Sequence, residues 1–209
     1  RALRAAARLV VALREDWARR PRQKEDQSPV TLADLGGQAI LGRLLGQDLP
    51  FLPLVAEEEA GALSGPEGEA LAAALAPALA EGLGLAAAPS AAELRAWIDR
   101  GQADPPGDGA WWAADPIDGT KGYVGGGQYA LALALLNGGR PVLGLLACPA
   151  LPPEVLLGRA ALPEGPDWRP AGPGSLILGL VGQGAWLSPL DNGGDGGRDH
   201  EHPGDPGPW

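Results

Sequence analysis

Apolar positions along the chain fall into two rhythms, and the change from one to the other divides it. Near the start, Leu3, Ala7, Val10, Leu13 and Trp17 step by three or four residues, the period of one helical face. Lys24 to Pro29 reads as a polar loop. Thr31 then opens a second helix, whose buried face carries Leu35, Ala39, Ile40 and Leu44 and which Pro50 stops. Thr31 and Asp34 have the spacing of a capping box, in which side chains satisfy the free N–H groups of a helix start. Phe51 to Val55 is a short apolar run of strand type that ends at Glu57, Glu58 and Glu59. Two more helices are predicted near Glu67–Leu85, interrupted at Pro77, and over Ser90–Arg100, where Ser90 and Glu93 form a second capping box.

From Trp111 onward the pattern is that of strands. Trp111 to Ala114 leads into Asp115-Pro116-Ile117-Asp118-Gly119-Thr120. Tyr129–Leu136 and Pro141–Cys148 flank Asn137-Gly138-Gly139, a strong hairpin signal. Ser175–Val181 and Ala185–Leu190, joined at Gly182 to Gly184, predict a second hairpin. Helices followed by antiparallel hairpins imply an α+β layered domain over residues 1–190. Residues 191–209, rich in Gly, Pro and Asp, are expected to form a disordered tail.

Composition narrows the chemistry. With 16 Lys+Arg against 26 Asp+Glu the net charge is −10, which disfavours a nucleic-acid polymer as partner and suits hard divalent cations. The two histidines, His200 and His202, lie in the last ten residues, so histidine-based triads and metal sites are excluded from the body of the chain. The one cysteine, Cys148, sits in an apolar strand and is expected in the core. No apolar run is long enough to span a membrane, and the expectation is a soluble, cytoplasmic protein, with an organelle interior as the other option. The lack of methionine and the start at Arg1 lead us to expect that the native start lies upstream.

Catalysis then falls to carboxylates, hydroxyls, lysine and backbone. Asp115 and Asp118, three residues apart at a strand end, can aim at one point past the sheet edge. Gly119 permits close approach of a ligand, and Thr120 offers a hydroxyl and an N–H to an anion. Such parts suit metal-assisted phosphate hydrolysis, although Asp, Pro and Gly also build ordinary turns. Glu57 to Glu59 adds a second acidic cluster and Asp34 a third; a solvated loop and a helix cap are the plainer explanations of each by itself.

Four segments together resemble the inositol monophosphatase superfamily. They are Ser28-Pro29-Val30-Thr31-Leu32-Ala33-Asp34, Val55-Ala56-Glu57-Glu58, Asp115 through Gly122, and Gly127-Gln128-Tyr129-Ala130-Leu131-Ala132-Leu133-Ala134. Lys121-Gly122-Tyr123 and the Gly-Gln-Tyr-Ala run point to the 3′(2′),5′-bisphosphate nucleotidase branch. The resemblance implies a layered sandwich of the sugar-phosphatase type and Mg²⁺ as cofactor, commonly with inhibition by Li⁺. It implies the small-molecule substrate 3′-phosphoadenosine 5′-phosphate, with an inositol monophosphate as the alternative. Glu57, Asp115, Asp118 and the carbonyl of Ile117 match the family's metal ligands. Gly119 and Thr120 match its phosphate contacts, and Asp34 with Thr120 the pair that activates water. The family's second half also carries a Trp-Asp metal motif. None of the seven tryptophans here precedes an aspartate, so we expect an N-terminal portion with the second domain largely missing, and a chain that binds metal and phosphate without turnover is the competing expectation.

Overall fold

The computed structural model describes residues 1–19, 29–161 and 172–190. The expected loop at 24–28, the tail at 191–209 and both histidines lie outside them. Helices α1 (Ala2–Arg19), α2 (Pro29–Asp48), α3 (Gly65–Leu83) and α4 (Ala91–Asp99) precede most of the strands. Strands β1 (Leu54–Ala56), β2 (Ala110–Asp118), β3 (Ala130–Asn137), β4 (Arg140–Cys148), β5 (Ser175–Leu180) and β6 (Gly184–Pro189) form one sheet in that same order. Among the described strands β1 and β2 are parallel and every later pair is antiparallel. The short helices α5 (Thr120–Gly125) and α6 (Pro153–Leu156) complete the α+β fold.

Helix α2 is the centre of the packing. It lies against α1, α4 and β2, and Ala33, Leu35, Ala39, Ile40 and Leu41 are fully buried. Burying each such leucine or isoleucine contributes about 1.5–3 kcal/mol. From α1, Leu3, Ala7 and Val10 face the same core, as their spacing predicts; the side chain of Trp17 is not among those described. The Arg4 guanidinium donates to the carbonyls of Leu190 and Pro189 and to Ser188 Oγ, tying the end of β6 to α1.

Alternation along the strands gives the sheet two unlike faces. Trp112, Leu131 and Leu133 point into the core beneath the helices. Their neighbours Trp111, Ala113, Ala132 and Ala134 line an open cleft of about 750 Å³ on the other face. Leu146, on that face of β4, is exposed.

Four expectations need correction. Helix α2 begins at Pro29, so Thr31 stands in its first turn and Asp34 beyond it, and Thr31 does not open the helix as an N-cap. Helix α3 runs through Pro77 without a break, because Leu75, Ala76 and Leu79 anchor it in the core on both sides of the missing N–H. The strand expected over Phe51–Val55 is only Leu54–Ala56, with Phe51 exposed. In the first hairpin Asn137 pairs with Arg140, so the two turn residues are Gly138 and Gly139, both with positive φ, as a two-residue turn with this twist requires. Ser90 and Glu93 do form their capping box, and Cys148 is a buried free cysteine. The Gly182 turn closes the second hairpin as expected. No described helix is long and apolar enough to cross a membrane.

Candidate active site

The site forms where β1 and β2 end at one edge of the open face. Leu54, Val55 and Ala56 pair with Trp112, Ala113 and Ala114, and the next step of that parallel register sets Glu57 beside Asp115. Both side chains line the cleft. Asp118 is brought there by an irregularity. Residues 115 and 118 differ by an odd number, so in a regular strand they would face opposite sides of the sheet. Asp115 pairs with Ala132 and Asp118 with Ala130, however, so three steps on β2 match two on β3. That one-residue bulge restores the parity and turns Asp118 to the face of Asp115. Pro116 sits within the bulge, where its lack of an N–H leaves no ladder bond unmade. The Ile117 N–H donates to Asp115 Oδ1 at 3.0 Å, fixing this carboxylate within its own turn.

Asp34 reaches the site because α2 runs close to the bulge. A methyl added to Gly37, three residues on, would stand 3.3 Å from Cβ of Pro116, so a larger residue there would press the helix away. Past the bulge, Gly119 adopts φ 91°, a conformation open to glycine at little cost, and caps α5, whose first residue is Thr120. The exposed Gly119 and Thr120 follow directly on Asp118. Tyr123 of α5 anchors the segment, donating its hydroxyl to the Val10 carbonyl and meeting Tyr129 edge-on at 5.1 Å.

The carboxylates act on one another. Burial, followed by the charges of Glu58, Glu57 and Asp115, pushes Asp34 up to about 7. Burial and then the charges of Glu57 and Asp115 raise Glu58. Asp115 is raised by burial and by Glu57 and Asp118, against the pull of the Ile117 N–H. Asp34, Glu57, Glu58, Asp115 and Asp118 therefore share one strongly negative field. Among the described residues no three acidic, histidine or cysteine side chains converge closely enough to cage a metal ion as they stand. Like charges without a counter-ion repel, and an all-oxygen donor set carrying surplus negative charge fits a hard divalent cation in kind.

Two participants escaped the sequence reading. Glu58 was visible in an acidic run and in one of the resembling segments but was given no role of its own, yet its charge is the first among those acting on Asp34. Gln38, one turn past Asp34, is completely buried and bonds to the backbone of Glu58. The signal that marked it was a lone amide inside the apolar face of α2.

Comparisons with known proteins bear on this geometry. The profile of the inositol monophosphatase family matches residues 2–191. Among curated relatives, "Probable 3′(2′),5′-bisphosphate nucleotidase 3" of Arabidopsis thaliana is 38% identical over 177 residues, covering 80% of this chain and 48% of that protein. The "3′(2′),5′-bisphosphate nucleotidase" of Emericella nidulans is 36% identical over 179 residues, covering 81% of this chain and 50% of the relative. The chain thus spans about half the length of the curated relatives it matches. The solved inositol monophosphatase-II of Staphylococcus aureus aligns with 89% of this chain and 46% of its own, at a TM-score of 0.48 and 15% identity.

Proposed function

Since the chain belongs to the inositol monophosphatase family, we propose that it carries the metal- and phosphate-binding half of a Mg²⁺-dependent phosphomonoesterase, one that removes the 3′-phosphate of 3′-phosphoadenosine 5′-phosphate. The observation that carries the reading is the convergence of Glu57 and Asp115 on one cleft, with Asp118 turned to their side by the bulge. The names of the curated relatives support a nucleoside bisphosphate over an inositol phosphate.

In this reading Glu57, Asp115, Asp118 and the Ile117 carbonyl hold the cation. When bound, Mg²⁺ supplies Lewis-acid stabilisation of the phosphoryl oxygens and makes water a better nucleophile near neutral pH. Gly119 and Thr120 present backbone N–H groups and a hydroxyl to the phosphate. Asp34, with Thr120, orients the attacking water and accepts its proton. Burial, the largest cause, raises the Asp34 carboxyl from the ordinary carboxylate range, the direction that makes a carboxylate a better base. The reaction displaces the nucleoside oxygen in line, with no covalent intermediate on the protein.

The test is phosphate release from 3′-phosphoadenosine 5′-phosphate, run beside inositol 1-phosphate. Release should be faster from the nucleotide, vanish in EDTA and fall by about 100-fold or more in Asp118→Asn. Full turnover by that variant would refute the role of Asp118. Tight binding of Mn²⁺ with no turnover by the parent chain would establish the binding-only alternative instead.

A further inference from the structure

Among the described residues the acidic segment after β1 has no strand partner at Glu58, and two amide side chains take the place of one. Gln38 Oε1 accepts the Glu58 N–H at 2.8 Å, while Gln38 Nε2 donates to the Glu58 carbonyl and, at 3.0 Å, to the Ile98 carbonyl. Gln102 Nε2 donates to the same Glu58 carbonyl at 2.8 Å. Both backbone bonding groups of this one residue are thus held, the N–H from α2 and the carbonyl from α2 and from the segment after α4. The neighbouring chain is held as well: the Ala56 N–H donates to the Gly101 carbonyl, and Val55 forms a lone bridge with Gln102. A Cβ on Gly101 would come within 2.7 Å of Gln38 Nε2, so the residue before Gln102 has to be small for the bracket to close.

Gln38 lies four residues after Asp34, on the same side of α2. The rigid link from Asp34 through Gln38 to the Glu58 peptide sets the spacing between the carboxylate of α2 and the carboxylates that follow β1. Mutual repulsion among Asp34, Glu57, Glu58 and Asp115 would otherwise drive this exposed segment outward. We propose that Gln38 and Gln102 are positioning residues that clamp the Glu58 backbone and so keep the segment carrying Glu57 beside Asp34 and Asp115, ready to close on a divalent cation. The inference rests on the metal-site reading given above and adds to it the device that keeps the site assembled against its own charge.

Mn²⁺ alone is the probe. Its affinity is measured by calorimetry in the parent chain, in Gln38→Met, which keeps the shape but removes the amide, and in Gln102→Ala, where the side chain is exposed and folding is safe. Hydrogen exchange at Glu58 and the melting temperature in EDTA are recorded for each. Gln38→Met, which removes the acceptor of the Glu58 N–H, should exchange that amide at least about 10-fold faster, and both variants should bind Mn²⁺ about 10-fold or more weakly, as loss of groups supporting metal ligands generally causes. Gln102→Ala should lose that affinity with its melting temperature unchanged, which separates positioning from general destabilisation. Parent-like Mn²⁺ affinity in both variants, with faster exchange at Glu58 in Gln38→Met, would overturn the clamp while leaving the metal site intact. Failure of the parent chain to bind Mn²⁺ would overturn the metal-site reading and the clamp with it.

Discussion

Replacing Asp34 by Asn should make the protein more stable at pH 8 in EDTA, although it removes a side chain assigned to the chemistry. Burial and the charges of Glu58, Glu57 and Asp115 raise the Asp34 carboxyl from 3.8 to about 7. Between those two values the folded chain holds a proton that the unfolded chain has released. Stability therefore falls as pH rises through this window, and the cost of charging Asp34 is fully present above about 7. At about 1.4 kcal/mol for each tenfold change in proton affinity the ceiling is about 4 kcal/mol; partial exposure and solvent screening reduce this to about 2 kcal/mol. Urea unfolding of Asp34→Asn and the parent should thus show the variant about 2 kcal/mol more stable at pH 8, with the gap closing toward pH 4. A variant equal to or less stable than the parent at pH 8 would refute the claim that Asp34 is charged against its surroundings. The same outcome would remove the reason for its place in the site.

Two further predictions test the fold that carries the site. Leu133→Ala, beneath the helices, should cost about 2–5 kcal/mol in urea unfolding, whereas Leu146→Ala on the open face should cost less than about 1 kcal/mol. Similar losses at both positions would contradict the two-faced sheet. Ser90→Ala breaks the reciprocal bonds between Ser90 and Glu93 and should cost about 1 kcal/mol, read by the same assay.

Much of this arrangement was legible in the sequence wherever a short-range rule decided the outcome. The α1 face, the Ser90 cap and both hairpins follow from spacing and turn chemistry, each of which acts within a few residues. The acidic residues of the site were likewise visible as residue types. Their grouping was less so, because it depends on pairing. Asp115 and Asp118 share a face only through the bulge opposite β3, and Glu57 meets Asp115 only through the parallel register of β1 and β2. Tertiary packing overrode local rules at Pro77, where the core holds the helix together, and at Thr31, which the earlier start of α2 leaves inside the helix. Gln38 was hidden for the opposite reason: a single amide among apolar residues acquires meaning only when the backbone it bonds to is known.

The claim on which the rest depends is that side chains from β1 and from the β2 bulge grip a single divalent cation. Anomalous scattering from crystals soaked in Mn²⁺ addresses it without any need for turnover. A peak is expected between Glu57, Asp115, Asp118 and the Ile117 carbonyl, lost in Asp115→Asn. A Mn²⁺ peak elsewhere on the molecule, with none between Glu57 and Asp115, would contradict it.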